Sequence, residues 1–273
     1  MAGFTVMSFL LFIMAGGGVG FLAGFFGVGG GLLMVPLLIF SYEYSGLSPS
    51  VLTHLALGTS LFVVIFASFM SAYQHNRQRT INWRAVFLIG FSSAVTALGT
   101  ARFAAALGGK YLQVIFAGVV VVAIIRMLTE GQKEAEKKLE MPPQARAISL
   151  AGIGFATGVV SALAGVGGGL VIIPSMYNLL KYPLKVAIGT SSATIVITAF
   201  FSLVGYMASG LTHEGLPRWT LGYVDLWHGA ALAMGSLFFA RIGAYASYKM
   251  HPFRLRKAFV VFTLVVLTYM LVK

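Results

Sequence analysis

From Phe4 onward the chain is a succession of apolar runs, each separated from the next by only a few polar residues. At about 20 apolar residues per crossing, its 273 residues hold roughly eight to ten membrane segments and leave no room for a sizeable soluble domain. No run alternates with the two-residue period of a membrane-barrel strand, so the expected class is an all-α, polytopic membrane protein. The segments fall at about 4–26, 32–41, 50–74, 82–107, 110–129, 146–164, 170–180, 184–209, 225–247 and 254–272. Those opening at Leu32 and Leu170 are short. At about 1.5 Å per residue they reach about half of a 30 Å hydrocarbon core. Composition agrees, with 58% hydrophobic and 10% charged residues and a mean hydropathy of +0.90. The N-terminus has no positive region ahead of its apolar run and reads as a retained first helix.

The chain also repeats itself. Gly27-Val28-Gly29-Gly30-Gly31 with Pro36 returns as Gly165-Val166-Gly167-Gly168-Gly169 with Pro174, and Gly58-Thr59-Ser60 returns as Gly189-Thr190-Ser191. Two motifs in the same order at similar spacing define a duplication, with an N-terminal repeat at 1–129 and a C-terminal repeat at 147–273. Each repeat holds about five segments. Between them, residues 130–146 are the hydrophilic stretch of the interior, ending at Pro142-Pro143, and read as a solvated cytoplasmic linker.

A charge of +12 would suggest nucleic acid in a soluble protein, but here Lys and Arg mark the cytoplasmic loops and no nucleic-acid partner is expected. Placing His75 to Arg79 inside leaves only Arg102, Lys110, Arg218 and Lys273 of the 19 Lys and Arg outside. On that map the loop at 75–79 and its counterpart at 210–223 face opposite sides, so the repeats are inverted and both termini are extracytoplasmic. The multi-pass chain is expected in the plasma, or inner, membrane.

Inverted repeats with broken helices near the membrane centre form the architecture of secondary transporters, whose solute site lies between the repeats. Each Gly costs a helix about 1 kcal/mol relative to Ala, and Pro36 and Pro174 lack a backbone donor, so GVGGG reads as a break. Amides freed at such a break need partners in lipid, and an anion is one. Gly29, Gly30, Gly31, Gly167, Gly168 and Gly169 are therefore candidate solute-binding residues. Thr59, Ser60, Thr190 and Ser191 add hydroxyls suited to an oxyanion, although such groups often bond back to their own helix. Gly20 and Gly24, spaced four apart, read instead as packing positions. Arg102 and Arg241 lie near segment ends, where they can snorkel to headgroups or flank an anion pathway.

Other chemistries find no support in the residues. No Lys-Ser or Lys-Thr follows the glycines, so a phosphate-binding loop is excluded. The absence of cysteine removes disulfides and thiolate metal sites, and no cofactor is expected. The acids Glu43, Glu130, Glu134, Glu136, Glu140, Glu214 and Asp225 all fall in loops or at segment ends, so a cation would meet no opposing charge inside the membrane.

With GVGGG-x-x-x-x-Pro present twice, each copy followed by Gly-Thr-Ser, the chain resembles the TauE/SafE family of sulfite exporter and anion permease proteins over nearly its whole length. The resemblance implies a transporter of small sulfur-containing anions such as sulfite, sulfoacetate or other organosulfonates, often working as an exporter. It maps onto Gly27 to Gly31 with Pro36, Gly165 to Gly169 with Pro174, and Thr59-Ser60 with Thr190-Ser191. A passive anion channel and a scaffold whose glycines only pack helices are the competing readings. Homo-oligomerisation is left open.

Because the native chain lacks cysteine, single cysteines report topology without background. Arg77→Cys and Gly215→Cys are expected to react with an impermeant thiol reagent from opposite faces of the membrane. Labelling from the same face would remove the inversion.

Overall fold

A computed structural model of the chain describes residues 6–129, 147–213 and 216–250, together with 257 and 261. The linker at 130–146 lies outside these residues, as does the segment at 254–272 apart from 257 and 261. The described helices are α1 (Val6–Phe26), α2 (Gly31–Tyr44), α3 (Pro49–Arg77), α4 (Trp83–Ala106), α5 (Gly109–Thr129), α6 (Ala147–Ala164), α7 (Gly169–Pro174), α8 (Leu184–Gly210) and α9 (Leu226–Lys249). Among the described residues there is no strand beyond an isolated Thr220–Asp225 bridge. Helices α1, α3, α4, α6, α8 and α9 are each long and apolar enough to cross a membrane, which makes the chain an all-α polytopic membrane protein.

Apart from the end of α7, which stops at Pro174 rather than near 180, each described helix boundary lies within about one helical turn of its sequence expectation, because apolar runs and their polar ends are the strongest signals in such a chain. The two prolines behave differently from one another. Helix α2 runs through Pro36 to Tyr44, whereas α7 ends at Pro174 and continues as a single π turn, Ser175–Leu179. Asn82 and Asp225 cap α4 and α9: the side chain of Asn82 accepts from the Ala85 amide, and that of Asp225 accepts from the Trp227 and His228 amides.

Packing crosses between the sequence repeats. Helix α1 lies along α9, α4 lies between α6 and α8, and α3 packs on both α8 and α9. In repeat order α1 corresponds to α6 and α4 to α9, so the α1–α9 and α4–α6 pairs are equivalent contacts. Both place the first helix of one repeat on the fourth helix of the other. These seams are closed by glycine. A Cβ on Gly16, Gly20 or Gly24 would run into the backbone at Leu232, Ser236 or Ala240, while Gly154 and Gly158 press on Ile89 and Ser93 in the same way. Without Cβ atoms the helix backbones approach closely enough for dispersion to hold them together in lipid, where no hydrophobic effect separates one apolar surface from another.

The central helices α3 and α8 set the two ends of the molecule. Gly58, near the start of α3, rests on the Tyr223 carbonyl, and Gly189, near the start of α8, rests on the Thr80 carbonyl. The turn after α3 and the loop before α9 therefore lie at opposite ends. His54 joins the second of these ends, with Nε2 2.9 Å from the Leu107 carbonyl and its ring 5.1 Å from that of Tyr223.

Replacing Gly20 with Leu should force α1 off α9 and lower stability by about 1–3 kcal/mol or more, since the obstacle is backbone rather than a movable side chain. Gly18→Leu, where an added Cβ meets nothing within 4 Å, should be neutral. Thermal unfolding of the purified variants in detergent reads the difference, and equal midpoints would contradict the seam.

Candidate functional site

Helix α1 stops at Phe26 and α6 at Ala164, each at the start of a glycine run. Gly30 and Gly168, the N-cap residues of α2 and α7, have φ of 83° and 91°, a left-handed backbone that strains any residue with a side chain. The chain therefore turns sharply between two helical pieces at both breaks. The breaks also touch. A Cβ on Gly31 would sit 2.5 Å from the Gly165 carbonyl oxygen, and one on Gly169 would sit 2.6 Å from Val28 Cα. Gly29 and Gly167 both face Val64 of α3 and Ile195 of α8, the middle residues of the two central helices.

Breaking two helices releases backbone groups, and the structure accounts for part of them. Ser60 donates to the Gly165 carbonyl at 2.9 Å, and Ser191 donates to the Gly27 carbonyl at 3.0 Å. Each repeat thus supplies a hydroxyl to the first carbonyl of the other repeat's break. Among the described residues, no hydrogen bond forms on the amides of Gly29, Gly30, Gly31, Gly167 or Gly168. These are donors without acceptors, next to the partial positive charge of the following helix start.

The adjoining threonines have a different role. Thr59 Oγ1 accepts from the Asp225 amide at 2.9 Å, and Thr190 Oγ1 accepts from the Asn82 amide at 3.0 Å. Each threonine fixes the N-cap residue of a long helix in the other repeat. A tyrosine completes each cluster: the Tyr42 hydroxyl lies 3.3 Å from both Thr59 Oγ1 and Asp225 Oδ2, and Asn82 Nδ2 donates to the Tyr182 hydroxyl at 3.3 Å. Thr59, Ser60, Thr190 and Ser191 are all fully buried. Their bonds cross between elements, unlike that of Thr194, which donates to the carbonyl four residues earlier. The clusters differ in charge, since Asp225 also pairs with His228 where the other repeat has neutral Asn82 and, at the His228 position, Ala85.

The structure brings the six candidate glycines and four candidate hydroxyls into one central assembly, but not the arginines. Arg102 is exposed on α4. Arg241 is exposed on α9, with Nε 3.4 Å from Gln74 Oε1 and its guanidinium over the Tyr73 ring. Residues that sequence reasoning passed over include Tyr42, Tyr182, Asn82 and Ser68. Asn82 and Asp225 carried a readable signal, as capping residues directly ahead of apolar runs. Ser68 carried none, being one hydroxyl in an apolar helix. A cavity of about 900 Å³ lies between α5, α6 and the α7 segment; its lining is mostly apolar, with Val119, Ile153, Val160 and Leu170, and the hydroxyls of Ser149 and Ser175 are its polar side chains. Among the described residues no group of acids and histidines is arranged to hold a metal ion.

A polytopic helical protein whose two interrupted helices meet at its core is built as secondary transporters are. The family model for the sulfite exporter TauE/SafE matches residues 12–270, and the chain belongs to that family. A probable membrane transporter protein of Haemophilus influenzae is 30% identical over 264 residues, covering 97% of this chain and 98% of its own length. Another from Methanocaldococcus jannaschii is 31% identical, with 90% of this chain and 89% of its own length covered. The YunE probable membrane transporter protein of Bacillus subtilis is 27% identical over 260 residues, 89% of this chain and 90% of its own. No solved structure matches the chain.

If the serines clamp the breaks, Ser60→Ala and Ser191→Ala should each strand a buried carbonyl at a cost of about 1–3 kcal/mol. Ser45→Ala, which removes an exposed hydroxyl bonded within its own helix end, should be near neutral. Thermal unfolding of the three variants checks the ranking.

Proposed function

We propose that the protein is a secondary transporter of small sulfur-containing anions such as sulfite, sulfoacetate and other organosulfonates, working as an exporter in the plasma membrane. The observation that carries the reading is the set of unpaired amides on Gly29, Gly30, Gly31, Gly167 and Gly168, gathered where two broken helices touch. Backbone amides and helix starts suit an oxyanion because they supply donors and partial positive charge without the desolvation cost of a buried cation. Family membership supports the sulfur anion, and the full-length relatives named as membrane transporters support transport over catalysis.

The solute rests against the glycine backbone, while Ser60 and Ser191 keep the breaks in shape and Thr59 and Thr190 hold the starts of α9 and α4. Residues 1–129 and 147–273 act as inverted repeats around a linker at 130–146. The opposite placement of the 75–82 turn and the 210–225 loop along α3 and α8 supports that inversion. With Arg77, Arg79, Lys181 and Lys185 marking the cytoplasmic end, both termini lie outside the cell.

Purified protein in liposomes should move sulfite or sulfoacetate with saturable kinetics and show counterflow, with sulfate as the comparison anion. Flux that never saturates and shows no counterflow would indicate a channel. Rates equal to those of empty liposomes for every anion would end the proposal.

A further inference from the structure

Buried side-chain polar atoms in the described residues are almost all hydrogen-bonded. The exceptions are Ser68 Oγ, His75 Nε2, and Gln78 Nε2 and Oε1. All belong to the second half of α3 and its C-cap. Ser68 and His75 are seven residues apart, so they share one face of the helix about 10 Å apart along its axis. Gln78 follows at the cap. Ser68 and His75 are each 1% exposed. His75 Nδ1 is 3.1 Å from Thr80 Oγ1, while Nε2 has no hydrogen-bond partner.

This stripe has a definite start and end. A Cβ on Gly29 would lie 3.1 Å from Ser68 Oγ, so the stripe begins beside the unpaired amides of the first break. It finishes at the turn after α3, where Arg77 and Arg79 are exposed. The equivalent positions on α8 are Ala199, Tyr206 and Ser209. Ala199 is buried and apolar, and the Tyr206 hydroxyl is satisfied by the Ala162 carbonyl at 2.8 Å. The duplicated face is therefore closed where the α3 face is polar and unsatisfied.

An unpaired buried polar group costs about 1–3 kcal/mol, so three such side chains along one stripe call for a partner that comes and goes. Water and a hydrated solute are such partners, since the stripe offers a hydroxyl, a ring nitrogen and both atoms of an amide. We propose that this face of α3 lines the half-pathway along which a hydrated oxyanion moves between the glycine breaks and the end of the molecule bearing the 75–82 turn. The α8 face toward the 210–225 loop, where Ala199 and the paired Tyr206 stand, is not part of that route. The inference rests on the anion-transport reading for its solute but not for its route.

The cysteine-free chain allows a direct test in liposomes. Ser68→Cys and Gln78→Cys are expected to react with the impermeant anion sulfonatoethyl methanethiosulfonate from the 75–82 side, and excess sulfoacetate should slow the reaction at position 68. Ala199→Cys should stay unlabelled. Ser68→Cys keeps side-chain size, and position 78 lies at a helix cap, where its backbone is not within α3; size-exclusion profiles identify which variant is folded. Labelling of Ala199→Cys at the rate of Ser68→Cys, or no labelling at 68 and 78 in folded protein, would overturn the route while leaving any measured flux intact. The expected labelling pattern without flux of any sulfur anion would uphold the route and remove the solute assignment instead.

Discussion

The structure depends on one exchange: each repeat lends a serine to the break in the other. A helix interrupted in lipid exposes carbonyls and amides that no water can satisfy, and each would cost several kcal/mol. Ser60 meets the Gly165 carbonyl and Ser191 the Gly27 carbonyl, so neither break is complete without the opposite repeat. One carbonyl of each break is thereby satisfied by a hydroxyl of the other repeat, while the amides of Gly29, Gly30, Gly31, Gly167 and Gly168 keep no hydrogen bond. On the proposed reading, those amides are the donors that meet the anion.

The same exchange shapes the rest of the fold. Thr59 and Thr190, one residue before the clamping serines, hold the N-cap residues of α9 and α4. Those two helices then receive α1 and α6 along seams whose glycines bring backbone against backbone. The interior is consequently interleaved, and the first helix of a repeat moves with the fourth helix of the other. On the transport reading, a change of access that keeps these glycine seams intact carries α1 together with α9 and α4 together with α6. Val64 of α3 and Ile195 of α8 meet both breaks where the two central helices pack together.

Much of this was legible in the chain itself. Helix positions follow from apolar runs, and the duplicated GVGGG and Gly-Thr-Ser motifs mark the parts that meet at the centre. The direction of each hydroxyl was not legible. A Thr or Ser within an apolar helix has a bond available four residues back, and Thr194 and Thr198 use it, but nothing local says that Ser60 and Ser191 reach across the molecule instead. The partner is set by which backbone comes near, and the glycines decide that only after the helices have packed. Asp225 shows the same limit. Its place at a segment end was readable, yet its burial depends on Tyr42 and Thr59, residues far away in sequence. Pro36 and Pro174 occupy equivalent places, but one sits inside a continuous helix and the other leads into a π turn.

Duplication gives two equivalent scaffolds, and the proposed route lies where they differ. Here α3 and α8 share the clamp, the cap contact and the central aliphatic residue, then diverge beyond it, with Ser68 and His75 on one side and Ala199 and Tyr206 on the other. The paired Tyr206 hydroxyl seals its end with a bond to the Ala162 carbonyl, whereas the imidazole at the equivalent place leaves a ring nitrogen unsatisfied. The clamp fixes where the repeats meet, and substitutions one or two turns away are free to make the two approaches unequal without loosening it.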